Sequence, residues 1–165
     1  MITSNYSSTD SGIRSHMRDY VDAEHIRHMI LEGTVERASA TVSAKAEDHL
    51  KRCFPLNTKT TTWVVDWDGI PSTSIEWSEV PDDAVLGWAR KTLAGGCRFG
   101  LLLFNSDQPC LVGEFDVMIR HLDEMVWAAA GNRLMFGVER DPDGGVKFGA
   151  GVIEFNGKDT LRGSI

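Results

Sequence analysis

The run Cys97-Arg98-Phe99-Gly100-Leu101-Leu102-Leu103-Phe104 decides how this chain is read. Its apolar residues do not alternate with polar ones, and it is too short for a buried helix. A short continuous apolar run bounded by turn residues predicts a central strand covered on both faces. Gly95-Gly96 stands before it, and Asn105 to Gly113 reads as a loop after it.

Upstream of the run, Pro81-Asp82-Asp83 has the composition of a helix start, with proline and acids in the first turn. Val85, Leu86, Ala89 and Leu93 supply an apolar stripe, and the two glycines end the helix. Downstream, Phe115, Met118, Ile119, Leu122, Met125, Val126 and Ala129 recur at helical spacing. Two strands, 133–140 and 146–155, follow around the turn sequence Asp141-Pro142-Asp143-Gly144-Gly145. Gly149 and Gly151 inside the second mark a bulge or a close backbone approach. Residues 156–165 are polar and expected at the periphery.

The first half predicts two helices, then a hairpin. Met17, Tyr20, Val21, Ile26, Met29 and Ile30 share one helical face. Val35, Ala38, Val42, Ala46, Leu50 and Cys53 share another, with Gly33 between the two stretches. Thr60 to Trp67 is rich in β-branched and aromatic residues, Asp68-Gly69 opens a turn, and Ser72 to Trp77 returns. Alternation puts Trp63, Val65, Trp67, Ile75 and Trp77 on one face and Asp66, Asp68 and Glu76 on the other.

The resulting order is α-α-β-β-α-β-α-β-β. It implies an α+β domain with one mixed sheet of about five strands, some made parallel by helical crossovers. Residues 1–16 are Ser/Thr/Asn-rich and without periodicity, and Ser15-His16-Met17 resembles a cloning remnant. The globular domain is therefore expected over 17–165.

Composition narrows the function. At 165 residues with 42% apolar and 25% charged side chains, the chain can bury an ordinary core. None of its apolar runs, Val64–Val65, Leu101–Phe104 and Val126–Ala130 among them, approaches the roughly 18 residues that cross a bilayer. The three cysteines, Cys53, Cys97 and Cys110, are an odd set in a domain that needs no staples, so reduced thiols and a cytoplasmic location are expected. A net charge of −7 would repel phosphate backbones, which argues against nucleic acid.

That charge is not spread evenly. From Thr60 to Ala89 there is no Lys or Arg, and the window holds Asp66, Asp68, Glu76, Glu79, Asp82 and Asp83. Removing those six from 24 acids leaves 18 against 17 bases, a balance of −1 for the rest. A located acidic surface raises the association rate and specificity for a basic partner. Trp67, Trp77 and Trp88 stand close in sequence, and aromatic side chains dominate binding hot spots.

Other chemistry is thinner. Asp66 and Asp68 with Glu76 could hold a divalent cation, but no His or Lys accompanies them. His25 and His28, and His49 and Cys53, could together bind zinc if their helices formed a hairpin. Cys110 precedes a helix bearing His121, a conceivable nucleophile and base. Asp141 and Asp143 lack the remaining ligands of a calcium loop. Gly149-Ala150-Gly151 is too short for a dinucleotide fingerprint, and there is no Walker-type loop. No catalytic set, metal or cofactor is therefore expected.

The expectation is a non-enzymatic, acidic protein-binding domain of the bacterial toxin-immunity or antitoxin kind, facing a basic partner such as a toxin domain. One alternative is a small-ligand module or enzyme with Asn105, Ser106, Asp107 and Cys110 at the ends of the central strands. Another is a structural or assembly subunit.

Overall fold

The computed structural model describes residues 24–57, 63–93, 96–104, 109–123, 133–156 and 159–165. The elements run α1 (Glu24–Leu31), β1 (Val35–Arg37), α2 (Ala40–Cys53), β2 (Ser72–Glu76), a 3-10 turn (Trp77–Glu79), α3 (Asp82–Leu93), β3 (Phe99–Leu103), β4 (Leu111–Glu114), α4 (Phe115–Arg120), β5 (Arg133–Arg140), β6 (Val146–Phe148), β7 (Ile153–Asn156) and β8 (Thr160–Ser164). None of the described helices is long and apolar enough to cross a membrane. The segments 1–16 and 58–62, and Met125, Val126 and Ala129, lie outside the described residues.

The α+β class holds, but the sheet is larger than expected and of one kind. It has eight strands in the order β1-β4-β3-β5-β7-β8-β2, with β6 beside the far half of β5. Every pairing among the described strands is antiparallel. The reason is β4, which arises inside a segment that reads as a loop. It reverses the chain before α4, so α4 connects β4 to β5, and both of these run antiparallel to β3 between them. No parallel crossover is then needed.

The central strand is where the apolar run predicts it. Leu102 and Phe104 enter one buried cluster, and Leu101 and Leu103 a second. The first cluster takes α1, α3 and α4, through Ile26, Met29, Val85, Ala89, Phe115 and Met118. The second takes α2, through Val42, Ala46 and Leu50, together with Phe54, Val65 and Trp67. The two N-terminal helices thus cover opposite faces of the sheet and form no helical hairpin. Gly33 adopts φ +77°, β1 pairs along β4, and Ser39 then caps α2, its hydroxyl accepting from the Val42 N–H at 3.2 Å. Cys53, expected on the buried stripe, is exposed.

On the first-cluster face, glycines replace side chains in a row across three neighbouring strands. Gly100 pairs with Gly113 on one side and with Gly137 on the other. A Cβ at Gly113 would stand 2.8 Å from Val35 and 3.0 Å from the Thr34 carbonyl oxygen. One at Gly137 would stand 3.0 Å from the Cys97 Cβ. The close approach expected at Gly149 and Gly151 is present: a Cβ on Gly151 would collide with the Thr92 carbonyl oxygen, at the end of α3.

The hairpin at 141–145 forms as expected. Asp141 N–H donates to the Gly145 carbonyl at 2.9 Å, Gly144 N–H to the Asp141 carbonyl at 3.0 Å, and Gly144 takes φ +87°. The strand after it divides at 149–152 into β6 and β7. The expected N-terminal hairpin does not form among the described residues. Residues 63–67 carry only a bridge from Val65 to Leu56, and β2 pairs instead with β8. The segment 156–165, expected at the periphery, therefore supplies an interior strand, with Leu161 fully buried.

Candidate protein-binding edge

The acidic segment runs along one edge of the sheet. β2 ends the strand order, and no described residue pairs with its outer side. Asp66 and Asp68 precede it in the irregular segment, where the Asp68 N–H donates to Asp66 Oδ1 at 3.1 Å. Glu76 ends the strand, Glu79 closes the 3-10 turn, and Asp82 and Asp83 open α3. All six carboxylates are exposed.

Register shows that they do not share one face. Ser74 lies opposite Arg162, and Arg162 lies opposite Glu154, so Glu76 belongs to the second-cluster face. Asp82 and Asp83 belong to α3 on the first-cluster face. The carboxylates wrap around the rim from one side of the sheet to the other. Bases distant in sequence reach parts of it. Arg120 stands 3.6 Å from Asp83, and the Arg162 guanidinium lies 5.1 Å from the Trp67 ring centroid while its Nε donates to the Ser72 hydroxyl at 3.0 Å.

The tryptophans are divided between the layers. Trp67 is 8% exposed, and its indole Nε1 donates to Glu154 Oε1 at 3.2 Å. Glu154 Oε2 accepts from the Val65 N–H at 2.8 Å. Trp67 therefore anchors the segment that carries Asp66 and Asp68. Trp77 and Trp88 are half-buried against the first cluster, with Ile75, Val80 and Leu86. The expected single aromatic face fails because Trp67 is not in a strand; it lies beneath the sheet rather than within it. Glu154 and Arg162 have no place in the sequence reading. The available signal was a lone carboxylate inside the apolar run Val152–Phe155.

Other candidates separate in space. His28 pairs with Glu32 at 2.8 Å on the solvent side of α1, whereas His49 lies on α2 across the sheet, so the four-residue zinc cluster does not assemble. Among the described residues no three His, Cys, Asp or Glu side chains gather as metal ligands. His49 stacks on Phe148 with ring centroids 4.4 Å apart and meets Cys53 Sγ through Nδ1 at 3.6 Å. Burial, and secondarily the Arg52 charge, hold its pKa below the ordinary value of 6.5.

Cys110 is fully buried under α2, its N–H donating to the Ser43 hydroxyl at 3.2 Å. Burial pushes its thiol up to about 11, the opposite of an activated nucleophile. His121, at the end of α4, belongs to the other face. Asn105, Ser106 and Asp107 lie outside the described residues. Asp143 and Asp141 serve their turn, where Asp143 Oδ1 accepts from the Gly145 N–H. A shallow cleft not signalled by the sequence is lined by Arg90, Leu93, Gly96, Cys97 and Phe115. Its charged group, Arg90, is already paired with Asp116.

No protein-family model matches the chain, and no curated protein matches its sequence.

Proposed function

We propose that this chain is a non-enzymatic acidic protein-binding domain of the toxin-immunity or antitoxin kind, which neutralises a basic partner protein. The observation that supports this reading is the β2 rim. Six carboxylates at positions 66, 68, 76, 79, 82 and 83 are exposed there, and among the described residues only Asp83 has an ion-pair partner. Like charges held together at an exposed rim repel one another, and a cationic partner relieves that repulsion. Such complementarity governs encounter rate and partner choice more than contact area does.

The test is binding of the full chain to the basic product of the neighbouring reading frame, by calorimetry at low and high salt. The triple variant Asp66→Lys, Asp68→Lys, Glu76→Lys is expected to weaken binding at least about a hundredfold and to remove most of its salt dependence. Affinity and salt dependence left unchanged by that variant would refute the reading.

A further inference from the structure

Hydrogen bonds at both ends of β8 fix which backbone groups of β2 are already used. The Ser164 N–H donates to the Val152 carbonyl at 3.1 Å, so Ser164, and by alternation Arg162 and Thr160, bond toward β7. The Ile165 N–H donates to the Pro71 carbonyl at 3.1 Å, and the Trp77 N–H to the Asp159 carbonyl at 2.9 Å. With the register Thr73↔Gly163 and Ile75↔Leu161, the odd residues of this strand are the ones that bond to β8. The N–H and C=O groups of Ser72, Ser74 and Glu76 therefore point outward from the last strand of the sheet.

Natural sheets guard such an edge with lysine, proline, a bulge or a very short strand. Ser72-Thr73-Ser74-Ile75-Glu76 has five regularly paired residues with no proline, lysine or bulge. Its flanks carry negative charge, with Glu76 at its end, Asp66 and Asp68 before it, and Glu79 and Asp82 after it, while Arg162 is held back on the Ser72 hydroxyl at 3.0 Å. Negative guards repel a second copy of the same edge. They do not repel a cationic strand. The opposite edge offers no equivalent, since β1 has three residues and its Glu36 is paired with Arg140.

We infer that the outer edge of β2 takes up an extended lysine- or arginine-rich segment of the partner as an added strand. This rests on the protein-binding reading and names its mode. Main-chain bonds to Ser72, Ser74 and Glu76 supply affinity, and the flanking carboxylates select basic side chains.

The experiment follows amide exchange in the full chain by NMR, with a capped nine-residue peptide alternating lysine with threonine and valine. In the free protein the amides of Thr73 and Ile75 are expected to be protected, and those of Ser72, Ser74 and Glu76 to exchange fast. Saturating peptide is expected to slow the latter three at least about tenfold, and a glutamate-for-lysine peptide to leave them unchanged. Ser74→Pro removes an outward N–H without touching the β8 ladder, and should weaken the peptide at least tenfold where Ser74→Ala does not. Binding that is lost in the Lys triple variant but leaves these amides fast and tolerates Ser74→Pro overturns strand addition and keeps the protein-binding reading. No binding at millimolar peptide also overturns strand addition, and the partner titration then judges the reading alone.

Discussion

The indole of Trp67 and the carboxylate of Glu154, 87 residues apart, meet at 3.2 Å beneath the sheet. The same carboxylate takes the Val65 N–H, so one buried side chain holds down the whole irregular segment that precedes the edge strand.

Glu154→Ala leaves two buried donors without a partner. Hydrogen bonds to a charged group contribute about 1.5–3 kcal/mol each, so a loss of at least roughly 3 kcal/mol is expected. For a chain of this size that lowers the melting temperature by about 6–12 °C. Trp67 fluorescence should shift to the red in the folded variant. A melting temperature within a degree of the parent would mean that the link contributes nothing to stability.

Two glycine substitutions should act with opposite sign. Gly113→Ala places a methyl against Val35 and the Thr34 carbonyl, and overpacking of this kind costs about 1–3 kcal/mol. Gly87, exposed in α3, has open space where its Cβ would go, so Gly87→Ala should stabilise by about 0.5–1 kcal/mol. Urea midpoints check both, and equal shifts in the two variants would contradict the packing described for the glycine row.

The cysteines should label in a fixed order. Cys53 is exposed, Cys97 is half-buried with its thiol raised by burial and then by Glu139, and Cys110 is enclosed. Mass mapping with a maleimide at pH 8 should find Cys53 first, Cys97 later and Cys110 only on unfolding. The raised Cys110 pKa favours the folded state while the thiol is neutral. Its contribution is lost as pH rises from about 9, where the unfolded thiol ionises, to about 11. Cys110→Ala should therefore flatten the alkaline limb of the stability profile, and an unchanged limb would count against this source.

His49 acts at the other end of the pH scale. Its folded pKa lies below 6.5, so protons bind the unfolded chain more readily, and stability falls as pH drops below about 6.5. His49→Phe keeps the stack on Phe148 and removes the titration. Its stability should decline less between pH 6.5 and 5; a parallel decline would show that other groups carry the effect.

Local signals in this chain reported local structure well. The 97–104 run, the 141–145 turn and the proline-acid start of α3 are each decided by residues adjacent in sequence, and each appears where expected. The misreadings are of pairing. β2 finds its partner about 90 residues downstream, in Thr160-Leu161-Arg162-Gly163-Ser164, which has a single large apolar residue to announce a strand. Leu111–Glu114 was hidden by the glycine and polar residues around it, and missing that strand turned antiparallel neighbours into an expected parallel crossover. For the candidate edge, sequence located the carboxylates. It could not show that they wrap around a rim, because that depends on which layer each tryptophan enters.

β3 gives Leu101 and Leu103 to one core, and Leu102, with Phe104 just after it, to the other. The two cores therefore have no independent existence: neither can melt without stripping side chains from a strand the other requires. Despite two separate hydrophobic interiors, the described domain should behave as one cooperative unit. Trp67 reports from one interior, Trp77 and Trp88 from the other, and their denaturation curves should superimpose.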